Sequence, residues 1–329
     1  MNWLITGGCG FIGRNLIKEL LHQHTGITIR VVDNFSVGKP SDLEYATDDF
    51  EVVPNAAALN WEHPLQIIEG DIMNADLAVE ITEGADVIIH LAANTGVGPS
   101  VEHPRMDCTT NVIGTFNYLE ACRKNGIKRF VFASSGAPIG ECIPPIHEEL
   151  ACHPVSPYGA SKLAGEAYCS AYYQTFKVET VALRFGNIYG PGSTHKSSVV
   201  AKFIRQAMQG ETLEIYGDGT QTRDFIFTKD LTNAIWLGAT KAGIGGEIFQ
   251  IATNKETTVL EVTEALVDAM KACGIDGVEI KHGPKRLGDV MRNFSDTRKA
   301  KKVLGWNCEY ELKEGLKQTI QWFVEPSKV

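Results

Sequence analysis

The chain has no run approaching the ~18 consecutive apolar residues of a membrane-spanning helix, and Met1-Asn2-Trp3-Leu4-Ile5-Thr6 leads into a strand pattern without a charged leader. The expectation is a cytoplasmic protein that does not enter a membrane. Positive charge is in deficit: 31 Lys and Arg against 40 Asp and Glu give a net charge of -9. That balance excludes a general nucleic-acid binder and leaves small anionic ligands to a few local arginines. No C-x-x-C pair occurs. The eight cysteines (Cys9, Cys108, Cys122, Cys142, Cys152, Cys169, Cys273 and Cys308) are scattered, as expected of reduced thiols. His147 and His153 flank Cys152 in a Pro-rich stretch whose spacing fits no tetrahedral set, so it reads as a surface loop and no metal is expected. Internal repeats and low-complexity segments are also lacking.

What is present describes a globular chain. With 329 residues, 43% of them hydrophobic, the sequence exceeds the usual ceiling for one compact core. Short Val- and Ile-rich runs alternate with helical-period segments through the first half, the pattern of a parallel sheet covered on both faces. Strands are predicted at Asn2–Thr6, Thr28–Asp33, Leu65–Glu69, Val87–Leu91, Arg129–Ala133 and Glu179–Arg184. Helices are predicted at Phe11–His22, Asp76–Thr82, Met106–Asn125 and Pro157–Phe176. This is a doubly wound α/β fold of Rossmann type, with Ser36–His63 as a surface excursion.

After Gly190 the alternation breaks into a helix at Val199–Gln209, a strand at Leu213–Tyr216 and a turn at Gly217-Asp218-Gly219. The expected division is a dinucleotide-binding domain over 1–187, to which segments near 225–252 return, and a smaller α/β substrate domain over 188–224 and 253–329.

Strand one runs into Gly7-Gly8-Cys9-Gly10-Phe11-Ile12-Gly13, which satisfies both G-x-G-x-x-G and G-x-x-G-x-x-G. Such glycines let backbone approach a pyrophosphate whose charge meets a helix N-terminus. The pattern alone is weak, and a Gly-rich tight turn is its plain alternative. Its position after a strand, before a helix and twenty residues ahead of Asp33 gives it weight. An acid there accepts from an adenosine ribose hydroxyl and repels the extra phosphate of NADP, so NAD is the expected cofactor. A turn or N-cap role is the other reading of Asp33, and a turn role that of Asp71-Ile72.

Tyr158 and Lys162 stand at i and i+4, hence on one helix face. A tyrosine acts as a base only if its pKa falls from about 10, which a nearby ammonium and a positive nicotinamide would do. The pair alone is also consistent with a half-exposed Tyr and a solvated Lys. The strand at Arg129–Ala133, however, ends in Ser134-Ser135-Gly136 at the carboxyl edge of the sheet, where open α/β sheets bind ligands.

A dinucleotide loop followed by Ser, Tyr and Lys in this order resembles the extended short-chain dehydrogenase/reductase family over nearly the whole chain, and within it the nucleotide-sugar 4-epimerases of the UDP-galactose epimerase kind. The resemblance implies a catalytic triad of Ser135, Tyr158 and Lys162. It implies cofactor contacts at Gly7, Gly10, Phe11, Ile12, Gly13, Asp33-Asn34, Asp71-Ile72, Leu91-Ala92-Ala93, Asn111, Tyr158 and Lys162. Substrate contacts are implied at Asn187, Val200, Tyr216, Arg223, Arg286 and Asp289. The arginines suit a diphosphate as guanidinium forks, surface salt bridging being the alternative; Tyr216 fits either a nucleobase platform or the core.

Relatives that dehydrate or decarboxylate usually carry an acid just after the triad serine, where this chain has Gly136-Ala137. That favours simple inversion at carbon 4 of a nucleotide-diphosphate sugar, with a UDP-linked one expected and NAD regenerated in each cycle. One departure is Pro138-Ile139, where the family commonly has Val-Tyr, which leaves the sugar open. The alternatives are a dehydratase, decarboxylase or net dehydrogenase on the same scaffold, and a cofactor-binding regulatory module without turnover. The resemblance also implies a homodimer whose interface takes the apolar helix positions Phe116, Leu119, Ala167 and Tyr172, the alternative being that they face the sheet. By analogy alone, the product would feed polysaccharide biosynthesis.

Overall fold

The computed structural model describes residues 1–194, 196–285 and 290–325. The first half runs β1 (Asn2–Thr6), α1 (Phe11–Gln23), β2 (Thr28–Asp33), β3 (Glu51–Val53), β4 (Leu65–Glu69), α2 (Ala75–Ile81) and β5 (Val87–His90). Then come α3 (Val97–Glu102), α4 (Pro104–Cys108), a π-turn (Thr109–Ile113), α5 (Gly114–Asn125), β6 (Arg129–Ser135), α6 (Pro157–Phe176) and β7 (Glu179–Phe185). The remainder is β8 (Asn187–Tyr189), α7 (Val199–Met208), β9 (Leu213–Tyr216), β10 (Thr222–Arg223), β11 (Phe225–Phe227), α8 (Thr228–Thr240) and β12 (Glu247–Ile251). It closes with β13 (Thr257–Thr258), α9 (Val259–Ala272), β14 (Ile280–Gly283) and α10 (Leu312–Val324).

Eight strands form one sheet in the order β12-β7-β6-β5-β1-β2-β4-β3, every neighbouring pair parallel. Because side chains alternate along a strand, the continuous apolar runs feed both faces. Trp3, Ile5, Val31, Ile89 and Val131 enter one apolar cluster. Their neighbours Leu4, Val32, Ile88, Phe130 and Phe132 enter the other. A third cluster, with Phe203, Ile215, Phe225, Leu266 and Trp322, lies in the C-terminal part of the chain. Strand order reverses between β1 and β5, and the crevice beyond their carboxyl ends is where such sheets bind ligands.

Three expectations are corrected. The excursion over 36–63 is not wholly superficial: β3 adds the edge strand beside β4, and Leu43 is fully buried. The helix expected over Met106–Asn125 begins at Pro104 and is interrupted by the π-turn. Of the positions assigned to a partner, Leu119 and Tyr172 belong to the internal core. Phe116 is half-buried and Ala167 exposed, while Met106, Ile113, Tyr168 and Phe176 carry the exposed apolar surface.

Candidate active site

The turn after β1 shows why glycine is needed there. Gly7 has φ +68°, and a Cβ on it would lie 2.9 Å from Ala92 Cα. A Cβ on Gly13 would lie 2.5 Å from Gly8 Cα, so α1 starts hard against the loop. Gly10 caps that helix without a side chain, leaving the Phe11 and Ile12 amides at its positive end. Leu91 donates to Thr6 O at 3.2 Å and the Ala92 amide to Thr6 Oγ1 at 3.1 Å, which brings the loop after β5 alongside. A methyl on Gly7 or Gly13 would meet backbone atoms, so the cradle holds glycine at both.

Asp33 closes β2 and accepts from the amides of Cys9 and Phe35, both at 3.0 Å. Burial pushes its carboxyl up, and those two bonds pull it back. The acid is thus tied to the cofactor loop. Asn34 donates to Asp71 Oδ2 at 3.3 Å, joining the ends of β2 and β4, and Ile72 packs against Gly114.

Asn111 is a brace. Its Oδ1 accepts from the Asn94 amide at 2.8 Å; its Nδ2 donates to Asn94 O at 3.0 Å, Asp107 Oδ1 at 3.0 Å and Ser161 Oγ at 3.1 Å. The π-turn supplies the extra residue that turns this side chain inward. One amide thereby joins the β5 loop, α4 and α6.

Helix α6 delivers the tyrosine and lysine. Ser156 caps it by accepting from Gly159 N at 3.1 Å, and Pro157 occupies its first turn. A Cβ on Gly159 would lie 2.6 Å from Ala137 O, so the loop after β6 rests on the helix beside Tyr158. That approach brings Ser135 to the phenol. Burial raises Tyr158, a hydrogen bond from Ser135 lowers it, and Asp107 raises it. Lys162 is 4% exposed and donates to Ala133 O at 2.8 Å. Its Nζ lies 5.9 Å from the Tyr158 ring centroid. Burial pulls its ammonium down to about 8, against the raising influence of Asp107 and Glu166. The lowering of Tyr158 expected from the motif is therefore not delivered by the protein's own groups.

The sequence reading did not single out the group behind Ser135. Glu166 accepts from Ser134 Oγ at 2.6 Å and from Arg184 Nε and Nη2, both at 2.7 Å; both side chains of the pair are 2% exposed. Glu166, four residues beyond Lys162 on one helix face, was the available signal. Glu166→Gln leaves the buried Arg184 charge without its anion and is expected to destabilise the fold by about 3–5 kcal/mol, read from denaturant unfolding.

On the other side of the crevice, Asn187 is exposed in β8, whose neighbour is β11. Tyr216 is 36% exposed with Lys202 Nζ 5.6 Å from its ring centroid, so it is no core aromatic. Val200 is buried in the third cluster. Arg223 donates to Thr222 O and Val290 O, both at 2.7 Å. Arg286 and Asp289 lie outside the described residues. Pro138 and Ile139 are both buried, and Ile139 donates to Gly136 O at 3.2 Å.

The model of the NAD dependent epimerase/dehydratase family matches residues 3–252, the stretch that holds the glycine loop, Ser135, Tyr158 and Lys162. The chain belongs to this family. Like other epimerase/dehydratase proteins it depends on NAD, and the glycine cradle and Asp33 fit that cofactor. It is similar to a UDP-glucose 4-epimerase of Mycolicibacterium smegmatis, 35% identical over 100% of both chains. Among solved structures it is similar to a UDP-glucose 4-epimerase of Thermotoga maritima with UDP-glucose (TM-score 0.85, 33% identity, 98% of each chain). It also resembles a UDP-glucose 4-epimerase of Thermus thermophilus complexed with NAD (TM-score 0.82, 31% identity, 98% of this chain and 99% of that one).

Proposed function

We propose that this family member inverts carbon 4 of a nucleotide-diphosphate sugar, UDP-linked, using Tyr158, Ser135 and Lys162. The carrying observation is the meeting of Ser135 with Tyr158 at the carboxyl end of β6, where Gly136 and Ala137 follow the serine and put no acid beside it. A dehydratase needs a second proton-transferring group; inversion at carbon 4 does not.

Tyr158 Oη takes the proton of the 4-hydroxyl and returns it after the ketone has turned over. Ser135 Oγ holds the same oxygen, and Lys162, fixed by Ala133 O, adds positive charge beside the phenol. The glycine loop and Asp33 would hold NAD, which would supply a reversible hydride acceptor for carbon 4, so no net redox change would result. A bound nicotinamide's positive charge would lower Tyr158, which burial and Asp107 raise. Asp33 selects NAD over NADP. Leu91, Ala92 and Ala93 line the pyrophosphate, with Asn111 bracing them. Asn187, Arg223, Arg286 and Asp289 bind the nucleotide diphosphate, and Tyr216 receives the base.

In this reading residues 1–187 with 225–252 carry the cofactor, and 188–224 with 253–329 carry the nucleotide. The exposed Met106, Ile113, Tyr168 and Phe176 favour a homodimer joined through α4, the π-turn and α6. No helix among the described residues is long and apolar enough to cross a membrane, which suits a cytoplasmic enzyme supplying sugars for polysaccharide.

The test is to incubate the purified protein with UDP-glucose, UDP-N-acetylglucosamine and UDP-glucuronate in turn, resolving products by chromatography and proton NMR. A galacto epimer without net nicotinamide reduction supports the proposal and names the sugar. Conversion to a deoxy or decarboxylated product, or none of the three converted, overturns it as stated.

A further inference from the structure

A second carboxylate lies within electrostatic reach of the tyrosine–lysine pair and touches neither directly. Asp107, on α4, is 0% exposed. Its Oδ1 accepts from Asn111 Nδ2 at 3.0 Å, while its Oδ2 is buried with no hydrogen-bond partner among the described residues. α4 packs against α6, and Asn111 continues the chain of contacts to Ser161 Oγ, which donates to Tyr158 O at 3.0 Å. A half-satisfied buried carboxylate costs stability. Strain retained at a site of chemistry points to a role there.

We propose that Asp107 is a positioning residue for this pair: a buried carboxylate on α4 that, through the Asn111 and Ser161 contacts to α6, sets the surroundings in which Tyr158 and Lys162 act. This rests on the assignment of Tyr158 and Lys162 made above. The surroundings leave Asp107 as the carboxyl of the group that has no cationic partner among the described residues. Glu166, the other carboxylate acting on Lys162, is committed to Arg184 and Ser134. His90 of β5, which faces Lys162 among the Phe130 and Phe132 rings, is pulled down to about 3 by burial and by that lysine, so it is uncharged near neutrality. Glu102 of α3, His103 between the helices and Arg105 of α4 are exposed, where solvent screens them. No ion pair joins Asp107 to Lys162, whose Nζ is bound to Ala133 O. The influence is exerted through space and through the Asn111 brace.

The sign follows from the charge. An anion near Lys162 favours its ammonium, and the same anion near Tyr158 disfavours its phenolate, so Asp107 moves both titrations upward. Removing it moves both down.

The experiment is an absorbance titration of the tyrosinate band on NAD-loaded protein, with Tyr158→Phe subtracted to isolate Tyr158. It is repeated in Asp107→Asn, whose carbonyl can still accept from Asn111, with Asp107→Asn/Tyr158→Phe as its reference. The midpoint in Asp107→Asn is expected about one pH unit lower, in the range for a single charge at short distance. Asp107→Glu, which restores the charge, should return most of that shift. The Asn variant should be at least as stable as the parent, because it discards an ill-satisfied charge. An unmoved midpoint, or an Asn variant that fails to fold or melts well below the parent, overturns the proposal by making Asp107 a structural residue. The titration needs no substrate, so failure of the epimerase reading, seen as turnover surviving in Tyr158→Phe, is read separately.

Discussion

Tyr158→Phe is expected to lower kcat by about 10²–10⁴-fold, the span usual for loss of a positioned acid–base group, while binding of NAD and nucleotide sugar is retained. The ring stays in place on the first turns of α6 and only the phenolic oxygen is removed, so the helix cap at Ser156 and the fit of Gly159 against Ala137 are undisturbed. Steady-state kinetics and titration calorimetry separate the two quantities. An unchanged kcat would remove Tyr158 from the chemistry, and a loss confined to KM would make it a binding group.

The second large effect is expected from the smallest change in the cofactor loop. In Gly13→Ala the new methyl lies 2.5 Å from Gly8 Cα and 2.6 Å from its carbonyl carbon. Both are backbone atoms that cannot rotate away, so α1 must back off from the loop that its N-terminus completes. At about 3 kcal/mol, the upper end of the usual overpacking range, NAD affinity falls about 100-fold and the protein purifies without cofactor. Gly26→Ala is the control. Gly26 has a positive φ of +70° but nothing within 4 Å of its added carbon, so this variant should lose a little stability and no NAD. Equal losses of cofactor in the two variants would mean that the crowding at Gly13 is relieved elsewhere.

How much of this was legible in the sequence depended on whether the signal was local. Pro157–Phe176 was read to both ends because Ser156-Pro157 is a local start signal and the helix runs unbroken. The sheet strands were read nearly as well, their Val and Ile runs being continuous. The π-turn was invisible, since it depends on what Asn111 finds across the crevice and not on propensity. Leu119, read as an outward position, is fully buried in the core. β3 was missed because three residues carry no usable period. Glu166, Arg184 and Asp107 were missed for a related reason. A buried charge looks like any surface charge in sequence until its partners, from other elements, are brought to it.

The first helix does more than begin at the glycine loop. From its inner face Arg14 donates to Gly192 O and reaches Asp42, and Asn15 donates to Pro191 O at 2.9 Å, so the segment after β8 is lashed to the element that carries the cofactor loop. Two halves of a crevice tied through one rigid rod cannot adjust independently. Displacing one side does work on the other, and the coupling free energy is shared: whatever factor NAD adds to the affinity for the sugar nucleotide, the sugar nucleotide adds to the affinity for NAD.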